Sequence, residues 1–364
     1  MLTVVIAPDS FKGSLSAREV AEAIAEGWLS ARPDDRLVLV PQADGGEGTL
    51  DAVEASVSGS VRRSAGEVTG PDGRPTSGEW LELPDGTAVV ELAQPSGLPL
   101  MREPDALGAT TRGLGQVIRA ALDAGATSLV IGLGGSASTD GAAGALSALG
   151  LVLLDEQGEP VPEGGRGLAD IVDVQRGGLV PPPAGGVTLL TDVTAPLLGP
   201  TGAAAVFGPQ KGATPADVAR LDAALAHFAE LLGGEPDAPG SGAAGGAGYG
   251  FAAVWGATIV PGADRLAELS GLREAIASAD VVLSGEGRFD EQSLTGKVVG
   301  RVLALAEGRA TGVIAGQVTA ETGGWAASLT DLAGSVDAAI AQPQRWLREA
   351  GARAARELSP RESS

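Results

Sequence analysis

Apolar residues in this chain come in short unbroken runs separated by stretches of helical period. The runs at 2–7 (LTVVIA), 36–40 (RLVLV), 127–132 (TSLVIG), 187–191 (VTLLT), 279–284 (ADVVLS) and 311–315 (TGVIA) predict strands. They are continuously apolar rather than alternating, which suits parallel strands covered on both faces. Between them the period changes. In 17–29, Val20, Ala21, Ile24 and Trp28 fall on one helical face and Arg18, Glu19, Glu22 and Glu26 on the other. This alternation predicts an α/β fold around parallel sheets. Residues 59–95 depart from it: SVRRSAGEVTG, SGEWLELPDG and TAVVELA read as antiparallel strands, with PDG turns at 71–73 and 84–86. A β-rich region set between βα units predicts two domains, as does a length of 364 residues. The expected division is a discontinuous α/β domain (1–60 plus 257–364) and an inserted α/β domain (61–256).

The charge balance narrows the partners. A formal net charge of −21 argues against nucleic acid or an anionic membrane surface. An anionic small molecule then needs a local cluster of cations and amide donors. With no Cys, disulfides and thiolate metal sites are excluded. No run approaches the roughly 18 apolar residues of a membrane span, and the N-terminus has no signal-peptide pattern, so a cytoplasmic location is expected. The single His227 lies mid-helix in LDAALAHFAELL and reads as structural, so no mechanism that needs His is expected. Asn is absent altogether.

Positive charge is written almost entirely as Arg, 22 against three Lys, and all three lysines sit beside glycines near helix starts. Lys12 precedes Gly13 and the capping-box pattern Ser16-x-x-Glu19. Lys211 precedes Gly212 and a helix start with Thr214 as N-cap, Pro215 as first residue and Asp217 as the N3 acid. Lys297 follows Gly296 in SLTGKVVGRVLALAEG. A cation there is unfavourable by about 0.3–1 kcal/mol unless an anion binds among the same N–H groups. Carboxylates meanwhile end the apolar runs: Asp9, Asp44, Asp192 and Glu286 with Asp290. Strand C-termini are where open α/β sheets bind ligands. Cations for phosphates, acids for Mg²⁺ and a carboxylate base together point to phosphoryl transfer.

The glycine-rich segment 128–150 also satisfies G-x-G-x-x-A at Gly132, Gly134 and Ala137, so a dinucleotide fingerprint must be weighed. Its acid about twenty residues on could only be Asp155, beside a turn rather than ending a second strand. A second match at Gly240, Gly242 and Gly245 follows a loop, and Gly296-Lys297 lacks the rest of a Walker A loop.

Six motifs in order closely resemble the type 1 glycerate kinase family, whose bacterial members make 2-phosphoglycerate. They are APDSFKGSLSA (7–17), ADGGEGT (43–49), GLGGSASTDGAAG (132–144), GPTGAAAVFGPQKGAT (199–214), GAAGGAGYG (242–250) and SGEGRFDEQSLTGK (284–297). The resemblance implies ATP-dependent phosphorylation of D-glycerate with Mg²⁺, in a fold whose discontinuous part (1–60 plus 257–364) is a flavodoxin/Rossmann-like domain and whose active site is expected in the cleft between it and the inserted α/β domain (61–256). Family members often carry Asn where this chain has Ala195 and Thr139, which fits its lack of Asn throughout.

On that basis Asp192, which heads TDVTAPLLGP, is expected to take the proton from the glycerate hydroxyl. Lys12 is expected to act beside it, holding the glycerate carboxylate or the transferring phosphoryl group. Asp9, Ser10 and Arg288 are expected around the substrate, and Lys211, Lys297, Gly134, Gly135, Ser136 and Asp140 around the nucleotide phosphates. Asp44, Glu47 or Glu286 would carry Mg²⁺. A 3-phosphoglycerate product, an NAD-dependent oxidoreductase and a non-catalytic metabolite-binding protein are the alternatives. A homo-oligomer is left open.

Overall fold

The computed structural model describes residues 1–294 and 298–358. They divide into two compact units. One comprises Met1–Asp44, Asp51–Ser58 and the described residues from Ala263 on; the other comprises Gly45–Leu50 and Gly59–Gly262.

The first unit is built on an all-parallel sheet, in the spatial order Trp325–Ser328, Ala310–Val318, Val281–Phe289, Thr3–Ile6, Arg36–Leu39. Numbered along the chain, these five strands lie in the order 2-1-3-4-5, the flavodoxin-like doubly wound arrangement. The unbroken apolar runs follow from burial on both faces. Val4 and Ile6 pack with Ile24, Trp28 and Leu347, whereas Val5 and Val282 pack with Leu272, Ile276 and Val302. The helices Ala17–Ala31 and Pro343–Glu357 cover one face of this sheet together. They cross very closely: a Cβ on Gly27 would meet the Arg348 carbonyl, and one on Gly351 the Ile24 carbonyl.

The second unit holds a mixed six-stranded sheet in the order Thr258–Val260, Val187–Leu190, Ser128–Gly132, Thr87–Glu91, Pro75–Glu82, Val61–Thr69. Its last three strands are the expected antiparallel meander. Thr87–Glu91 also pairs in parallel with Ser128–Gly132, so the meander extends the parallel part rather than standing apart. A two-stranded ribbon, Val152–Leu154 with Asp173–Gln175, lies outside it. His227 sits within the helix Pro215–Leu232, its Nε2 2.7 Å from the Ile171 carbonyl oxygen.

Both expected capping boxes are present, at Ser16/Glu19 and Thr214/Asp217. Two strands run further than their apolar cores. Val281–Phe289 and Ala310–Val318 pair with each other through Phe289 and Val318, well beyond the reach of the four-residue Thr3–Ile6. Backbone pairing therefore carries polar Glu286 and Arg288 on an extended strand. Among the described residues no helix is long and apolar enough to cross a membrane.

Candidate functional site

A cavity of about 470 Å³ opens in the first unit beyond the C-terminal ends of its parallel strands. Strand order reverses between Thr3–Ile6 and Val281–Phe289, and doubly wound sheets bind ligands at that switch point. Asp9, Ser10 and Lys12 reach the cavity from the loop after Thr3–Ile6. Asp44 reaches it from the chain beyond Arg36–Leu39, and Glu286 and Arg288 from Val281–Phe289. The loop is short and tied at its base. Phe11 and Leu15 exchange backbone hydrogen bonds of 2.9 and 3.0 Å, and Gly13 turns at φ 77°. That tip lifts Lys12 into solvent, 70% exposed, with Nζ 3.7 Å from Asp44 Oδ2. The capped helix at Ser16 follows directly.

Crowded acids set the electrostatics. Burial pushes the Asp9 carboxyl up to about 7, and the neighbouring charge of Asp44 and then Glu286 adds to this. The Ser10 N–H, donating to Asp9 Oδ1 at 2.6 Å, and the Lys12 ammonium oppose the rise only in part. Arg288 Nε lies 3.7 Å from Asp290 Oδ2. No group of three or more His, Cys, Asp or Glu among the described residues forms a ready-made metal cage. Asp44 and Glu286 nevertheless put hard oxygen donors on one cavity. That fits Mg²⁺, which commonly takes one or two carboxylates and completes its shell with water and phosphate oxygens.

Other expected residues gather in the second unit. Lys211 is only 2% exposed, and its Nζ donates to Ser136 Oγ at 2.8 Å and to the Ser138 carbonyl at 2.5 Å. Burial pushes its ammonium down to about 7, against an opposing pull from Asp140. Asp140 is fully buried, and burial raises its carboxyl even though it accepts from the Thr111 N–H, the Thr111 hydroxyl and the N–H groups of Ala142 and Gly144. Lys211 thus grips the inside of the 132–141 loop, while Gly134 is half-buried and Gly135 exposed. Thr139, where family members often carry Asn, is buried beside it, and its hydroxyl has no hydrogen-bond partner among the described residues.

Two further expected residues are not among those lining the cavity of the first unit, and a third is not described. Asp192 is exposed in the second unit, and its Oδ1 accepts from the Gly262 N–H at 2.8 Å. Glu47 is exposed and is not among the residues lining the 470 Å³ cavity. Lys297 lies outside the described residues. Glu91, by contrast, went unremarked in the sequence. It is buried, and its two oxygens accept from the N–H groups of Gly48 and Leu50, pinning the second half of ADGGEGT. Its signal was an acid closing the otherwise apolar TAVVE.

The glycines that suggested a dinucleotide fingerprint serve backbone packing. A Cβ on Gly132 would stand 2.7 Å from the Gly45 carbonyl oxygen, and one on Gly134 would strike the Gly46 Cα. The helix that follows starts only at Ala143, with no cap at its N-terminus from a side chain.

The chain matches the family model described as "Glycerate kinase family" over residues 4–359. It is 44% identical over 306 residues to the glycerate 2-kinase of Escherichia coli (strain K12), covering 82% of this chain and 80% of that one. It is 43% identical over 307 residues to the glycerate kinase of Bacillus subtilis (strain 168), covering 81% and 79%. A crystal structure from Salmonella typhimurium LT2, described as a candidate glycerate kinase 2, is similar at a TM-score of 0.82 and 36% identity over 98% of both chains. Fold, motifs and relatives agree, and the chain belongs to the glycerate kinase family.

Proposed function

We propose that this enzyme transfers the γ-phosphoryl group of ATP to the 2-hydroxyl of D-glycerate, giving 2-phosphoglycerate and ADP. The observation that carries this reading is the convergence of Lys12, Arg288, Asp9, Asp44 and Glu286 on one cavity at the switch point of a parallel sheet. The 44% identity to a protein named glycerate 2-kinase supports the choice of hydroxyl.

Chemically, the glycerate 2-oxygen forms a bond to the γ-phosphorus while the bond to the β–γ bridging oxygen breaks. The hydroxyl proton must leave at the same time. Asp9 is the carboxylate of this cavity not given to the metal, and burial makes it hold a proton more readily than an ordinary carboxylate, so it is the acceptor. Asp192, the acceptor expected from sequence, has its Oδ1 engaged by the Gly262 N–H and stands in solvent. Arg288 presents a planar fork suited to the glycerate carboxylate, and the compact Lys12 ammonium suits the transferring phosphoryl oxygens. Asp44 and Glu286 would hold Mg²⁺, which when bound neutralises phosphate charge. Positioning and charge neutralisation then supply most of the rate.

The test is turnover of ATP with D-glycerate, the product coupled to enolase alone. Enolase accepts the 2-isomer directly, so a signal without added mutase is the expected result. A signal that appears only with phosphoglycerate mutase assigns the 3-isomer instead, and no ADP formation overturns the kinase reading.

A further inference from the structure

The 470 Å³ cavity is too large and too divided in character for glycerate alone. Pockets of about 300–1,000 Å³ enclose ligands of drug size, whereas every carbon of glycerate bears oxygen. Its lining changes along the sheet. Acids and cations come from the strands Val281–Phe289 and Thr3–Ile6 and the chain beyond Arg36–Leu39. On the other side the wall is apolar, formed by Leu329 just beyond the edge strand Trp325–Ser328 and by Val336, Ala339 and Ile340 of the helix Val336–Ala341. Ile340 is 63% exposed and Val336 42%, so two large apolar side chains face the opening with little protein over them. A small polar acid against that wall would lose hydration and gain nothing.

We propose that this apolar end is the pocket for the purine base of the nucleotide that donates the phosphoryl group. The inference rests on the kinase reading above and adds the place of the base. From the strand before Leu329 to the strand before Asp9 is three strand spacings, roughly 14 Å, comparable to the reach of an extended nucleoside triphosphate from base to terminal phosphate. The base then stacks on Ile340 and Val336 while the phosphates run toward Lys12. Between the two ends lies Gln317, paired in register with Arg288 and lining the same cavity. Its amide offers one acceptor and two donors, the combination that matches a hydrogen-bonding edge of adenine.

The experiment uses the full chain and the variants Ile340→Glu and Gln317→Ala. Ile340 is mostly in solvent, so its replacement leaves the core intact. Three readouts are compared: calorimetric binding of ADP without glycerate, KM for ATP and for D-glycerate, and inhibition by inorganic tripolyphosphate, which has no base. The expected result for Ile340→Glu is at least tenfold weaker ADP binding and a parallel rise in KM for ATP. KM for D-glycerate and tripolyphosphate inhibition should stay within twofold. Gln317→Ala should weaken ADP in the same pattern. Unchanged ADP binding in both variants overturns the proposal, as does a rise confined to KM for D-glycerate. ADP binding needs no turnover, so the base pocket can fail while wild-type kinase activity stands, and the reverse.

Discussion

Replacing Lys211 by Met would remove an ammonium from the interior of the second unit, and the cost should depend on pH in a way no surface lysine shows. Burial brings this group down from its ordinary 10.5 to about 7. Between those values the unfolded chain holds a proton that the folded chain lacks. Wild-type stability therefore climbs with pH across that window, by about 1.4 kcal/mol per pH unit. Below pH 7 the penalty of the buried charge is fully present, and the Met variant never carries it. The variant instead leaves Ser136 Oγ and the Ser138 carbonyl without their donor, at about 1–3 kcal/mol each. Asp140 keeps its donors from Thr111, Ala142 and Gly144. The opposing effects nearly cancel near neutrality. Lys211→Met should lie within about 2 kcal/mol of wild type at pH 7 and fall roughly a further 2 kcal/mol behind it at pH 9. Urea unfolding at both pH values, followed by fluorescence of Trp80 and Trp255 in this unit, measures the gap. A gap that does not change between pH 7 and pH 9 refutes the argument, because the ammonium would then stay charged in the folded state.

The remaining predictions concern the first unit and the choice of base. Asp9→Asn should lower kcat at least about 100-fold, the usual size of a general-base contribution, while Asp192→Ala keeps kcat within about threefold; the opposite pattern returns the base to Asp192. Gly27→Ala should destabilise by about 2 kcal/mol, since overpacking against the Arg348 carbonyl outweighs the gain in helix propensity. A melting temperature equal to wild type would mean that the two helices can separate freely.

Much of this was legible because local and tertiary demands coincide. The runs VVI, SLVIG and VTLL are buried on both faces and could not be written with alternating polarity. Ser16 and Thr214 start helices through contacts three residues away, so their signals are local. Elements that depend on partners were not readable. WAAS becomes a strand only because Ala310–Val318 pairs with it, and the Ala-Ala-Ser that follows Trp325 carries no period. TIV at 258–260 joins the second sheet on the same terms. Within the site, the motifs pointed to Asp9, Lys12, Asp44 and Glu286, which do share one cavity. They were blind to burial, and so gave no sign that Lys211 donates inward to Ser136 and Ser138. Val336 and Ile340 carried no signal either, because a pair of exposed apolar residues on a short helix looks the same with or without a ligand.

The sheet of the first unit draws Thr3–Ile6 and Arg36–Leu39 from early in the chain and its other three strands from beyond residue 280. Thr3–Ile6 therefore has one neighbour, Val281–Phe289, that a ribosome makes some 275 residues later. At about 5–20 residues per second, that is a wait of roughly 15–55 s. During it Val4 and Ile6 of that strand and the inner face of the helix Ala17–Ala31 lack the Pro343–Glu357 helix that later covers them. The nascent chain should be most dependent on chaperones, and most prone to aggregate, in that interval. Slowing translation between residues 60 and 280 should lower the soluble yield more than the same delay placed before residue 60.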